Sequence, residues 1–156
     1  ECSLQPANLM IQGTHIVVID FGYAKRIRGA GKCDAILHGE PEYVLASDAR
    51  LNRTCRAGDA YAMGKSIFEI LFVYRPPFHE ERNFDVRLVS ELNAHFRQAL
   101  GEPSQKSNRH FKSMSDETEQ KILRVLRGMC QDSQAAYTFA QAYREFETSF
   151  PEVSIA

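Results

Sequence analysis

The sequence predicts a mostly helical domain carrying one small β-hairpin, an α+β chain. Three observations point there. Ile16-Val17-Val18-Ile19 is a continuous run of β-formers just after the turn signal Gln12-Gly13-Thr14. Downstream, apolar residues recur at helical spacing between Pro and Gly stops. Two helix starts are also spelled out, Ser115 before an acidic turn and Thr138 with Gln141 three residues on. The chain has 156 residues, 44% of them apolar, enough for one domain with a sizeable core.

Taken in order, residues 2–11 read as a loop feeding a short strand. With residues 16–19, read as a buried strand, it makes a hairpin that carries Asn8 before one strand and Asp20 after the other. Residues 23–54 hold Gly29, Gly31, Gly39, Pro41 and many charges, which predicts a long ordered loop, usually functional at this length. Residues 59–74 are apolar on nearly every face and predict a buried central helix, stopped by Pro76-Pro77. Phe84, Leu88, Leu92, Phe96 and Leu100 fall four apart, an amphipathic helix ended by Gly101 and Pro103. Residues 104–113 are polar and basic, a solvated loop. Asp116, Glu117 and Glu119 suit the N-terminus of the next helix dipole, whose inner face is Ile122, Leu123, Leu126 and Met129. The last helix turns Phe139, Tyr143 and Phe146 inward.

Composition excludes several classes. A net charge of −1 gives no field for nucleic acid or a membrane surface. The most apolar run, 67–74, is broken by Glu69 and too short to span a bilayer. Cys2, Cys33, Cys55 and Cys130 are scattered without a C-x-x-C pair, so reduced thiols in an intracellular, cytoplasmic protein are the reading, not zinc or disulfides. No signal peptide argues for secretion. The chain opens at Glu1 without Met, as an excerpt or processed product would.

The candidate chemistry lies at Asp20-Phe21-Gly22. A carboxylate at a strand end can hold Mg²⁺ against a phosphate, Phe21 can enter the core, and Gly22 can take φ > 0 at the turn. The structural alternatives stay open. Asp20 can be a turn former satisfying nearby N–H groups, Asn8 can bond its own loop, and Met10 can be a core methionine rather than a platform under an adenine ring. Arg26, Arg28 and Lys32, like Lys106, Arg109 and Lys112, read as solvated loop charges.

Together these landmarks resemble the C-terminal lobe of the eukaryotic protein kinase fold over nearly the whole chain, residues 1–150, with 151–156 as a tail. Ser3-Leu4-Gln5-Pro6-Ala7-Asn8 sits where the family has D-L-K-P-x-N in its catalytic loop, here residues 1–11. Asp20-Phe21-Gly22 is the intact D-F-G. Gly39-Glu40-Pro41-Glu42-Tyr43 is similar to G-T-P-E-Y and Leu45-Ala46-Ser47 stands at A-P-E, so 20–47 is the activation segment. Asp59 and Gly64 match the D-x-x-x-x-G of the buried central helix, with Asp59 bracing the catalytic-loop backbone, and Pro76-Pro77-Phe78 matches P-P-F. The helical remainder is 84–148. The family's N-terminal lobe is absent from this chain.

The resemblance implies ATP with Mg²⁺ held by Asn8 and Asp20, but the catalytic positions depart. Ser3 stands where the family has the proton-accepting Asp, and Gln5 where it has the phosphate-neutralising Lys. Glu40 replaces the Thr that bonds both. Ser47 and Ala136 replace the two halves of a buried ion pair, so neither is left as an unpaired charge. Residues 24–42 contain no Ser, Thr or Tyr, and the phosphate-receiving Arg is Cys2, which excludes switching by phosphorylation there. The expectation is a pseudokinase acting as a protein-binding scaffold or allosteric regulator. Its partners would be other proteins, including a kinase N-lobe or partner kinase covering an exposed flank of the central helix. Its surfaces would be the 84–100 helix with the 104–113 loop, and the activation segment. Three rivals stay open: an active kinase using Glu1 or Glu40 as base, an ATP sensor, and an inert truncation.

Overall fold

A computed structural model describes residues 4–13, 15–22, 24, 37–52, 56–77, 79, 84–102, 113–131 and 137–151. Strands β1 (Leu9–Gln12) and β2 (His15–Val18) pair antiparallel, with Leu9 opposite Val18 and Gln12 opposite His15. Helices follow in order: α1 (Ala46–Leu51), α2 (Arg56–Leu71), α3 (Val86–Gly101), α4 (Asp116–Met129) and α5 (Phe139–Ser149). Short 3-10 turns lie at Pro6–Asn8 and Pro41–Tyr43. The mostly helical fold with one two-stranded sheet matches the class expected from sequence.

The main core lies where α2, α3, α4 and α5 meet, around Tyr61, Phe68, Phe96, Leu123, Leu126 and Ala142. Phe96 is its hub: Tyr61, Phe68 and Tyr74 present ring edges to it at centroid distances of 5.9, 5.4 and 5.5 Å. Gly64 is what lets α2 approach α4. A Cβ there would sit 2.8 Å from Cys130 Sγ and 3.1 Å from Met129 Cβ. A Cβ on Gly128 would run into the Tyr137 ring, whose backbone N–H donates to the Gly128 carbonyl at 2.9 Å. A smaller cluster, Leu37, Val44, Ala46, Ala49 and Val89, joins α1 to α3.

Both capping signatures are present. The Ser115 hydroxyl accepts from the Thr118 N–H at 3.1 Å, and Thr138 with Gln141 closes a reciprocal capping box at the start of α5. Asp85 caps α3 by accepting from the Arg87 and Leu88 N–H groups. Phe84, expected as the first helical residue, therefore precedes the helix and packs on the smaller cluster.

Other expectations need correcting. α2 runs 56–71 rather than 59–74. Asp59 sits within its first turn, where a carboxylate suits the dipole, and the chain leaves the helix early so that Phe72 and Tyr74 fold back onto Phe68. The helix is not all apolar inside, since Lys65 and Ser66 are fully buried. The predicted loop 23–54 contains α1, ended by Asn52 in the left-handed region at φ 47°. In α5, Phe139 and Tyr143 are exposed, while Ala142, Phe146 and Phe150 face the core, a stripe displaced by about one residue from the aromatic one. The strand at 16–19 is not buried: Ile16, Val17, Met10 and Ile11 are exposed. Among the described residues, exposed apolar side chains lie on the hairpin and also at Ile70 on α2 and Val73 just beyond it. The basic loop 104–112, residues 25–36, Ser3 and Ala136 lie outside the described residues, while Ser113 is exposed.

Candidate functional site

The hairpin positions the two retained ligand candidates. Ile19 N–H donates to the Asn8 carbonyl at 2.9 Å, extending the ladder one step past the Leu9–Val18 pair. Asn8, which ends the Pro6–Asn8 turn, and Asp20, which follows β2, therefore sit at the same open end of the sheet. Asn8 is buried. Its turn is fastened to the helical body by the Ser66 hydroxyl, which donates to the Leu4 carbonyl at 2.7 Å from inside α2.

Asp20, not Gly22, takes the left-handed backbone, at φ 59°. Its Oδ1 accepts from the Gly22 N–H at 3.2 Å, and a Cβ on Gly22 would lie 3.2 Å from that oxygen. Aspartate tolerates this conformation because its short side chain bonds the local backbone. Gly22 is thus needed for closeness rather than for φ. Phe21, expected in the core, is 62% exposed, and Met10 is 54% exposed on β1 rather than in the core. Gln5 is partly buried, just ahead of the turn, and makes no side-chain cap bond.

Asn8 and Asp20 bring an amide and an exposed carboxylate to one sheet end, the residue types that would hold Mg²⁺ beside a phosphate. Among the described residues no group of three or more His, Cys, Asp and Glu converges as a metal site.

A second polar centre was not anticipated. Lys65, 1% exposed, points from α2 into a cage formed by four elements. Its Nζ donates to the Glu42 carbonyl at 2.8 Å and lies 3.8 Å from Glu42 Oε2 and 3.6 Å from Glu69 Oε1. The Tyr43 ring is 4.6 Å away, and those of Tyr74 and Phe96 5.8 Å. Tyr43 donates its hydroxyl proton to Glu69 Oε2 at 2.6 Å. His79 Nε2 stands 3.9 Å from Glu42 Oε1, Tyr74 Oη is 3.1 Å from His95 Nδ1, and Cys130 closes the cage at the end of α4.

Burial dominates the electrostatics. It pulls the Lys65 amine below its ordinary 10.5, against the opposing pull of Glu69 and Glu42. It holds the Glu69 carboxyl above its ordinary 4.5, against the hydrogen bond from Tyr43 and the charge of Lys65. Tyr43 and Tyr74 keep their protons well past the usual phenol range, chiefly through burial. Burial likewise pushes the Cys130 thiol up to about 12, so it is no nucleophile. The sequence signal that could have found the cage is Lys65 and Glu69 at i, i+4 inside an otherwise apolar helix.

No family model matches the chain, and no solved structure matches it. Curated relatives do. The chain is 37% identical over 79 residues, 50% of its length, to the "cAMP-dependent protein kinase catalytic subunit" of Schizosaccharomyces pombe. It is 36% identical over 84 residues, 53% of its length, to "cAMP-dependent protein kinase catalytic subunit 3" of Drosophila melanogaster. It is 32% identical over 106 residues, 66% of its length, to the "Serine/threonine-protein kinase PknB" of Mycobacterium leprae. The matched stretches are 15%, 14% and 16% of those proteins, so the chain spans only a small part of the relatives it matches. These partial similarities, with the mostly helical architecture and its small sheet, support a kinase-like fold for this chain.

Proposed function

We propose that residues 1–150 form a C-lobe-like, kinase-like domain that does not transfer phosphate and acts by binding other proteins. The observation that carries this is the pair Ser3 and Gln5, at the positions where the resemblance places a proton-accepting carboxylate and a lysine. A hydroxyl cannot take the acceptor's proton near pH 7, and a neutral amide does not neutralise a transferring phosphate. A positioned base alone is worth about 10²–10⁴ in rate. The binding surfaces proposed are the exposed face of α3 and the segment 20–47. The partners are other proteins, among them a kinase N-lobe. Incubation with Mg-ATP and a protein acceptor yields no transfer above background. Turnover that disappears on Asp20→Ala contradicts the proposal.

One observation favours a second reading, a nucleotide sensor: Asn8 and Asp20 sit at the same sheet end. On that reading the two would hold Mg²⁺, and the ion would supply charge neutralisation of a bound phosphate. ATP at 100-fold over its Kd then stabilises the fold by about 2.7 kcal/mol. The thermal shift depends on Mg²⁺ and is lost in Asp20→Ala. A shift unaffected by that substitution rules the reading out.

A further inference from the structure

Residues 40–46 are gripped from two helices by buried polar side chains. From α2, Lys65 Nζ donates to the Glu42 carbonyl and Glu69 accepts from the Tyr43 hydroxyl. From α3, fully buried Asn93 donates through Nδ2 to the Val44 carbonyl at 2.9 Å and accepts from the Ala46 N–H at 3.0 Å. Two side chains from elsewhere in the chain therefore hold three backbone groups, Lys65 the carbonyl of residue 42 and Asn93 the carbonyl of residue 44 and the N–H of residue 46. Arg97 Nη2, 3.5 Å from Asn93 Oδ1, steadies the second grip from one turn along α3.

Burying a lysine and an asparagine is costly unless each is fully engaged, so these side chains are not generic core filling. The backbone they hold is extended at Glu40, Val44 and Leu45, with ψ near 136° at each, and a single 3-10 turn lies between. Left alone, such a stretch has few hydrogen bonds of its own: Tyr43 N–H to the Glu40 carbonyl at 3.0 Å and Val44 N–H to the Pro41 carbonyl at 3.2 Å.

We propose that Lys65 and Asn93 form an internal clamp that fixes the 40–46 segment in one conformation, so that the surface it presents needs no covalent switch. This rests on the reading of 20–47 as a partner-binding surface. The absence of any Ser, Thr or Tyr in 24–42 fits it, because ordering that phosphate would impose from outside is supplied from α2 and α3. Lys65 acts as a positioning residue. Its ammonium meets Glu42 and Glu69 electrostatically while the aromatic rings exclude water from the pairs.

The test is amide hydrogen exchange on the purified protein, comparing Val44 and Ala46 with Leu126 in the core of α4. Lys65→Met keeps the apolar stem and removes the charge and the donor. It lowers protection at Val44 and Ala46 by roughly tenfold or more relative to Leu126, the loss expected for one charged hydrogen bond. Tyr43→Phe, which leaves the buried cation in place, lowers it by about threefold at the same amides. Unchanged protection at 44 and 46, or an equal fall at Leu126, overturns the clamp. Should Lys65→Met not fold, Tyr43→Phe decides alone, and no change there overturns it as well. Neither nucleotide nor partner enters the readout, so a failed clamp and a failed functional proposal are distinguishable.

Discussion

The sheet end bearing Asn8 and Asp20 and the cage around Lys65 are two polar centres among the described residues, and they are built in opposite ways. The sheet end is two short strands whose apolar side chains Met10, Ile11, Ile16 and Val17 face outward. It is moored to the body through the turn before β1, by the Ser66 hydroxyl. The cage is sunk among α2, α3 and α4, with a lysine, two carboxylates and three aromatic rings within contact distance. The candidate metal ligands thus occupy the lightly supported region. The cage, which takes in Glu42 and Tyr43 of the 39–43 motif, is buried and holds backbone rather than facing solvent.

Substitutions ranked by effect probe that contrast. Phe96→Ala removes the ring on which Tyr61, Phe68 and Tyr74 converge and lowers unfolding free energy by about 4 kcal/mol in denaturant titration. A loss below that of a surface change would dissolve the distinction between the regions. Gly64→Ala crowds the buried Cys130 Sγ and Met129 Cβ and costs about 2 kcal/mol, since a Cβ is fixed to its backbone and the buried thiol has little room to turn away.

The cage also predicts a pH dependence. Glu69 holds its proton above the ordinary 4.5, so in that window the folded state binds more protons than the unfolded one. Its contribution to stability is therefore full below 4.5 and is lost as pH rises through the folded value. Lys65 works the other way: the folded chain releases its proton below 10.5, so stability rises with pH up to that value. Glu69→Gln removes that acid-side slope and, with one carboxylate gone from beside Lys65, extends the alkaline rise to lower pH. An unchanged acid limb assigns the slope elsewhere. At the small end, Ile16→Thr on the exposed face of β2 changes stability by less than about 0.5 kcal/mol. A larger loss would mean the hairpin carries core weight.

Legibility followed the same division. Helix starts were readable because Ser115, Thr138 and Gln141 act through local hydrogen bonds that spacing alone specifies. The hairpin was readable from its β-run and turn, though not its exposure, because an apolar run says what a strand could bury and not whether anything covers it. Helix α1 was missed, since Ala46–Leu51 is a single short segment held by tertiary contacts to α3 rather than by propensity. Of the candidate site, adjacency of Asn8 and Asp20 followed from hairpin register. The left-handed Asp20 did not, because the neighbouring glycine offered the easier assignment. Lys65 was invisible for a different reason: in an apolar helix one lysine reads as an interruption, and only the fold brings Glu42 and Tyr43 across from 22 or more residues away to receive it.

The most direct test of the functional claim is a phosphoryl-transfer assay with Mg-ATP and a protein acceptor on the wild-type protein, Asp20→Ala, and the double variant Ser3→Asp with Gln5→Lys. Wild type and Asp20→Ala are expected to be indistinguishable from the acceptor alone, whatever the double variant gains. Wild-type transfer clearly above Asp20→Ala would contradict it, and would mean that the chain supplies a base and a phosphate-neutralising charge from elsewhere.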